Sequence, residues 1–177
     1  MLKTSAVLIT FLFPVFSVLA QDFNTGPLIK DFGAHAAVEP GSSLNSATSL
    51  NVSFDLAKKA DSGKVNRSMN SLARFLNMHV ANGVPAENIR LAMVVHGDAL
   101  FDLLGNDSYQ AKYGQSNANI PLIQALLQNQ VRIIVCGQSA AYHKVAQSDL
   151  LPGVEVALSA MTAHALLQQQ GYTLNPF

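Results

Sequence analysis

The chain has a single cysteine, Cys136, which closes the apolar run Val131-Arg132-Ile133-Ile134-Val135 and precedes Gly137-Gln138-Ser139-Ala140-Ala141. A thiol set between a strand end and a helix start meets backbone N–H groups and the positive end of the helix dipole. Both favour the thiolate, the nucleophilic form of sulfur. Gly137 suits a tight turn there, and Ser139 suits an N-cap. A second reactive side chain, His96, follows the apolar run 89–95 and is itself followed by Gly97. His143 lies seven residues beyond Cys136, about two helical turns. Cys136, His96 and His143 are therefore the candidate reacting groups, with Gly97, Gly137, Gln138 and Ser139 as candidate ligand-binding neighbours. The same sulfur admits a plainer reading as a small buried hydrophobe, because free cysteine is among the most buried residue types.

Other chemistries fit less well. A phosphatase loop needs an arginine where the chain has Tyr142. Gly137 to Ala141 approximates a nucleophile elbow, with Asp149 and His164 following in hydrolase order. Only 38 residues remain after Ser139, too few for the further strands of that fold. A metal site would draw on His96 and Asp98 with His35 or His143, but His-x-Asp is a weak pattern, and no metal or other cofactor is expected. His79 and His164 read as packing residues on helix faces. Asn51-Val52-Ser53 matches a glycosylation acceptor, but a strand interior is a poor place for one.

The elements that would position these groups alternate between two periods. Leu50 to Leu56 alternates apolar and polar at period two, a strand with one wetter face. From Val65 to Val80, residues Met69, Leu72, Phe75, Leu76 and Val80 recur at three and four, one stripe of an amphipathic helix. The runs 89–95 and 131–135 read as buried parallel strands. A short helical piece through Leu104, a helix over 121–128 and a helix over 139–147 lie between and after them. A strand over 154–158, a helix over 160–170 and an edge strand over 172–174 complete the series. Residues 105–118 read as a long polar loop and a candidate lid. Strands alternating with helices imply parallel pairing with right-handed crossovers, hence an α/β fold built as a three-layer α/β/α sandwich.

Composition sets the outer bounds. At 177 residues the chain is one domain's worth, and 49% apolar with 12% charged residues excludes disorder. Eleven basic and eleven acidic residues leave no footprint for nucleic acid. At the N-terminus, Lys3 is followed by the apolar stretch Ala6–Leu19 and the small-residue end Val18-Leu19-Ala20. That is the pattern of a cleaved secretory signal over residues 1–20, and it predicts an exported, periplasmic protein with no membrane attachment after cleavage. Residues 21–48 carry Gly26, Pro27, Gly33, Pro40 and Gly41 without a sustained period, and read as an extended arm packed loosely on the domain or on a neighbouring subunit.

The pattern Val94-Val95-His96-Gly97, then Pro121 and its helix, then Val131 through Ala140, resembles the DsrE/DsrF-like (YchN-like) family, in particular its exported branch. Val154 to Ala160 and Gly171-Tyr172 extend the resemblance over residues 50–175, so the domain spans 49–177. The resemblance implies a mainly parallel five-stranded sheet between helix layers, assembled as a homo-oligomer, a trimer or hexamer. It also implies that Cys136 accepts a sulfane sulfur as persulfide and passes it to a donor or acceptor protein or a small sulfur compound. Ala140-Ala141 follows the sulfur-trafficking members, whereas Tyr142-His143-Lys144-Val145 departs from them. The expectation is an exported protein that handles sulfane sulfur through Cys136. The alternatives are a non-catalytic oligomeric module that binds a small ligand and a metal-dependent enzyme using His96.

Overall fold

The computed structural model describes residues 22–39 and 44–175; the signal segment expected over 1–20 lies outside them. An antiparallel pair, β1 (Phe23–Asn24) and β2 (His35–Ala36), precedes the main sheet. That sheet contains β3 (Leu50–Leu56), β4 (Ile89–Val95), β5 (Arg132–Cys136), β6 (Glu155–Ala157) and β7 (Thr173–Asn175). Its order is β6-β5-β4-β3-β7, and every pair is parallel. The helices are α1 (Arg67–Ala81), α2 (Asn106–Tyr113), α3 (Ile120–Gln128), α4 (Gly137–His143) and α5 (Ala160–Gln169). None of the described helices is long and apolar enough to cross a membrane.

Strand order explains the layers. The chain steps from β3 to β4 to β5 to β6 in one direction, so right-handed crossovers put α1, α3 and α4 on one face. The return from β6 to β7 spans the whole sheet and lays α5 alone on the other. The first face holds the main core. Val52, Phe54 and Leu56 of β3, Leu91, Met93 and Val95 of β4, and Ile133 and Val135 of β5 pack against Met69, Leu72 and Leu76 of α1 and Leu122, Ile123 and Leu126 of α3. The second face is thinner: Ala92, Val94 and Ile134 meet Ala163 and Leu167 of α5. The period-two reading of β3 holds, since its alternate residues Ser53 and Asp55 fall on this second face.

Two segments differ from expectation. The stretch 105–118 is no lid. It contains α2, whose single buried residue is Tyr109, so no apolar stripe marked it as a helix. The segment is pinned by the buried Asn117, whose Nδ2 donates to the carbonyls of Asp102 and Leu104 at 3.0 and 2.7 Å. The arm is not loosely packed either. Asn77, fully buried on α1, accepts from the N–H of Ile29 at 2.8 Å and donates to the carbonyls of Ile29 and Phe32, both at 2.9 Å. Gly33 has φ +70° and lies so close to α1 that a Cβ there would sit 2.3 Å from the backbone of Ala73. Residues 28–33 are thus seated by polar bonds as well as by the buried Ile29, and polar bonds leave no apolar period in the sequence.

Candidate functional site

In open parallel sheets the crevice beyond the carboxyl ends of the strands is where ligands bind. Cys136 ends β5 there, one residue past the Val95–Val135 pair, so His96 is its neighbour at the end of β4. By alternation both side chains belong to the α5 face, in the rows that contain Ala92, Val94 and Ile134. His96 extends the ladder by donating its backbone N–H to the carbonyl of Leu56 at 2.9 Å.

The surroundings of the sulfur explain its ionisation. Burial pushes the Cys136 thiol up, but donors outweigh it and hold the thiol below its ordinary value. They are the Ser139 hydroxyl and the backbone N–H groups of Ser139, Ala160 and Gln138. Ser139 and Gln138 belong to the first turn of α4, and Ala160 opens α5. First-turn N–H groups have no partner inside their own helix and are free to meet an anion. The Cys136 side chain makes no capping hydrogen bond to α4. The residue as a whole is only 5% exposed.

α4 begins at Gly137, two residues earlier than the sequence suggested, and ends at His143. Ser139 is therefore not the N-cap. It sits inside the first turn, where its Oγ accepts from the N–H of Gly97 at 3.0 Å while its hydroxyl serves the sulfur. Gly97, at φ +56°, is thus joined to Cys136 through one serine. Gly137 is required by proximity: a Cβ there would come within 2.7 Å of the carbonyl oxygen of Ala157 on β6. Gln138 reaches across the same seam, its Nε2 donating to the carbonyl of Leu158 at 3.2 Å.

His96 turns to a different partner. Its Nε2 lies 3.0 Å from Oδ2 of Asp55, and Nε2 of His164 lies 2.8 Å from Oδ1 of the same carboxylate. Asp55 thus bridges two imidazoles, one from the sheet and one from α5. Partial burial alone would raise its pKa, yet the bonds from His96 and His164 hold the carboxyl below its usual range. His164 is therefore more than a packing residue, whereas His79 does pack, its ring 4.0 Å from that of Phe75. Asp55 and His164 were missed because neither lies near Cys136 in sequence. The one available signal was an acidic residue in the wet row of β3, at its carboxyl end.

The structure does not bring His143 to this group. Its ring packs edge-on against Phe101 at 4.9 Å and lines a separate cleft of about 320 Å³ with Lys112, Lys144 and Asp149. The residues of the metal alternative disperse as well. His35 bonds the carbonyl of Gly26, and Asp98 accepts from the N–H of Lys59. Among the described residues no three His, Cys, Asp or Glu side chains are grouped to hold a metal ion.

The family model for the DsrE/DsrF-like family matches residues 53–176. The chain belongs to that family. The DsrE-like match takes in Asp55, His96, Cys136 and His164 together, and membership supports a sulfur-related role. No curated protein matches the chain. Among solved structures it is similar to MTH1491, a protein of unknown function from Methanobacterium thermoautotrophicum. The two are 19% identical over 72% of this chain and 99% of that one, with a TM-score of 0.53. The likeness shows a shared fold.

Proposed function

We propose that this DsrE-like protein is a carrier of sulfane sulfur, exported to the periplasm by residues 1–20, with Cys136 as the carrying atom. One observation supports this above the others: Cys136 ends β5 at the carboxyl edge of the sheet and opens α4 as its N-cap, where polar groups of α4 and α5 hold its thiol below the ordinary value. A persulfide needs the same environment, since it too is anionic and must be formed by a thiolate. With thiosulfate as donor, the Cys136 thiolate attacks the outer sulfur and a new S–S bond forms. The bond between that sulfur and the sulfonate sulfur breaks, and sulfite departs with the electron pair. The persulfide anion remains on Cys136, and no external oxidant or reductant is required.

The test is cyanide-releasable sulfur after incubation with thiosulfate or polysulfide, for wild type and Cys136→Ala. Sulfur on the wild type alone supports the carrier role; equal sulfur on both proteins ends it.

The near-burial of Cys136 favours a second reading, a non-catalytic module in which the crevice binds a small ligand. It requires that Ellman's reagent reach the thiol only after denaturation, whereas the carrier reading requires reaction in the native state. Under either reading we propose a homo-oligomer. Tyr142, Val156, Leu158 and Met161 are exposed apolar side chains beside the cysteine seam, and such a cluster supports contact with further copies. Light scattering of a Leu158→Asp, Met161→Glu variant tests it, with dissociation expected.

A further inference from the structure

Apart from the cysteine seam, the carboxyl end of the sheet carries a second concavity. The segment joining β3 to α1 folds around a cleft of about 400 Å³ lined by Lys58, Lys59, Lys64 and Arg67, with Asp61 as its sole acidic lining residue. That is the size range of small-molecule pockets, roughly 300–1,000 Å³. Four of the chain's eleven lysines and arginines gather here, although the chain as a whole is neutral.

Three of these four charges have no ion pair. Among the described residues the only Lys or Arg ion pair is Arg132 with Glu155, so Lys58, Lys64 and Arg67 have none. Lys59 is partly engaged, its Nζ donating to the carbonyl of Ala60 and lying over the ring of Tyr113. The start of α1 adds to the imbalance: helix starts favour acidic residues, yet this first turn has none and begins with Arg67. Clustered like charges at a concave surface raise one another's energy, and a bound anion relieves it.

The cleft is also held in shape from beneath. Asn66 caps α1, accepting from the N–H groups of Ser68 and Met69, and its own N–H donates to Oδ1 of Asn119 at 2.7 Å. Oδ2 of the buried Asp102 accepts from Nδ2 of Asn66 at 2.7 Å and from the N–H of Ala60 at 2.8 Å. The backbone carrying the four cations is therefore fixed before any ligand arrives, which lowers the ordering cost of binding.

We infer that this cleft is a binding site for a multiply charged oxyanion of the phosphate type, separate from the thiol. Arg67 offers a planar fork that pairs with two oxygens at once, and Lys58 and Lys64 supply movable point charges, the combination that recognises phosphoryl groups. The site uses neither Cys136 nor its neighbours, so it stands or falls independently of sulfur carriage.

Titration calorimetry of the purified protein with inorganic diphosphate at low ionic strength tests it, with sodium chloride at matched ionic strength as the blank. Wild type and Cys136→Ser are expected to bind alike. The Lys64→Gln, Arg67→Gln double variant should bind about tenfold or more weakly, since two charge-assisted contacts are lost. A Lys30→Gln, Arg90→Gln double variant removes the same charge elsewhere on the surface and should bind like wild type. Parallel titrations with ATP and adenosine separate the sources of the phosphoryl group: equal affinity for ATP and diphosphate, with none for adenosine, assigns recognition to the phosphate chain. Equal weakening in both double variants would reduce the effect to net charge and overturn the site. So would absence of diphosphate binding at about 10 mM, which is weaker than the roughly 4 kcal/mol of a millimolar complex, or binding of poly-glutamate in its place.

Discussion

The two faces of the central sheet divide the work of this protein unequally. Under α1 and α3 the strands present large apolar side chains, and Leu72, Met93, Leu122 and Leu126 are fully buried. Under α5 the same strands present Ala92, Val94 and Ile134, and then, toward their carboxyl ends, Asp55, His96 and Cys136. The first face commits its area to burial, at roughly 25 cal/mol per Å² of apolar surface. The second gives up part of that gain to hold groups that ionise. Folding is thus anchored on one side of a sheet whose other side is free to carry chemistry.

The sharpest way to break this comparison is to damage the anchoring face. Leu72→Ala leaves a cavity between α1 and the sheet and is expected to cost about 2–5 kcal/mol, read as a lower urea midpoint. The folded fraction should retain the thiol reactivity of wild type. If reactivity fell in step with stability, the two faces would not be separable in this way. Asn77→Ala probes the same face through its polar contact with the arm. Removing the side chain strands backbone groups of residues 28–33, with an expected cost of about 1–3 kcal/mol and enhanced amide exchange in that segment. An unchanged exchange pattern would mean that Gly33 and the neighbouring apolar contacts hold the arm unaided.

On the chemical face the next effect is kinetic. Ser139→Ala removes the hydroxyl that serves the sulfur and accepts from Gly97. Alkylation of Cys136 by iodoacetamide near neutral pH should slow by about tenfold, the equivalent of one charge-assisted hydrogen bond of roughly 1.5 kcal/mol. The rate at high pH, where the thiolate forms regardless, should be unchanged. A uniform slowing at every pH would point to lost access in place of lost activation.

The two faces were also unequally legible in the sequence. β3 and β4 have the bounds that their patterns predicted, 50–56 and 89–95, because an apolar strand row against a core leaves a periodic trace. α1 was visible for the same reason. What the pattern concealed was polar. Asn77 lies among the apolar residues of α1, and its partners are backbone atoms some 48 positions away. The Asp55–His164 pair spans 109 positions and exists because α5 returns across the whole sheet to seat β7 beside β3. Strand order decides that contact, and no local period encodes strand order. Cys136 was legible because its cues were local, a strand end followed by glycine. The contribution of Ala160 was not, since that residue opens α5, beyond the next strand.

The Asp55 bridge gives the smallest expected effect and the finest test of the division between faces. Asp55 has a folded pKa below its unfolded value of about 3.9, because His96 and His164 donate to its carboxylate. A depressed carboxylate contributes stability that is fully present above the unfolded value and is lost as pH falls through the folded one. Its side chain is 37% exposed, so solvent screens the interaction and the contribution is modest. Urea midpoints measured against pH should show wild type more stable than Asp55→Asn near neutral pH. The gap should narrow below about pH 4 as the wild-type carboxylate takes up its proton. Parallel curves throughout would show that Asp55 is replaceable by any hydrogen-bonding side chain of its shape. Because Asp55 joins β3 to α5, and the Ala160 N–H that faces Cys136 also belongs to α5, the variant should slow thiol alkylation slightly as well. A loss of the stability gap with no kinetic change would detach the imidazole bridge from the sulfur and leave it a clasp for the thin layer alone.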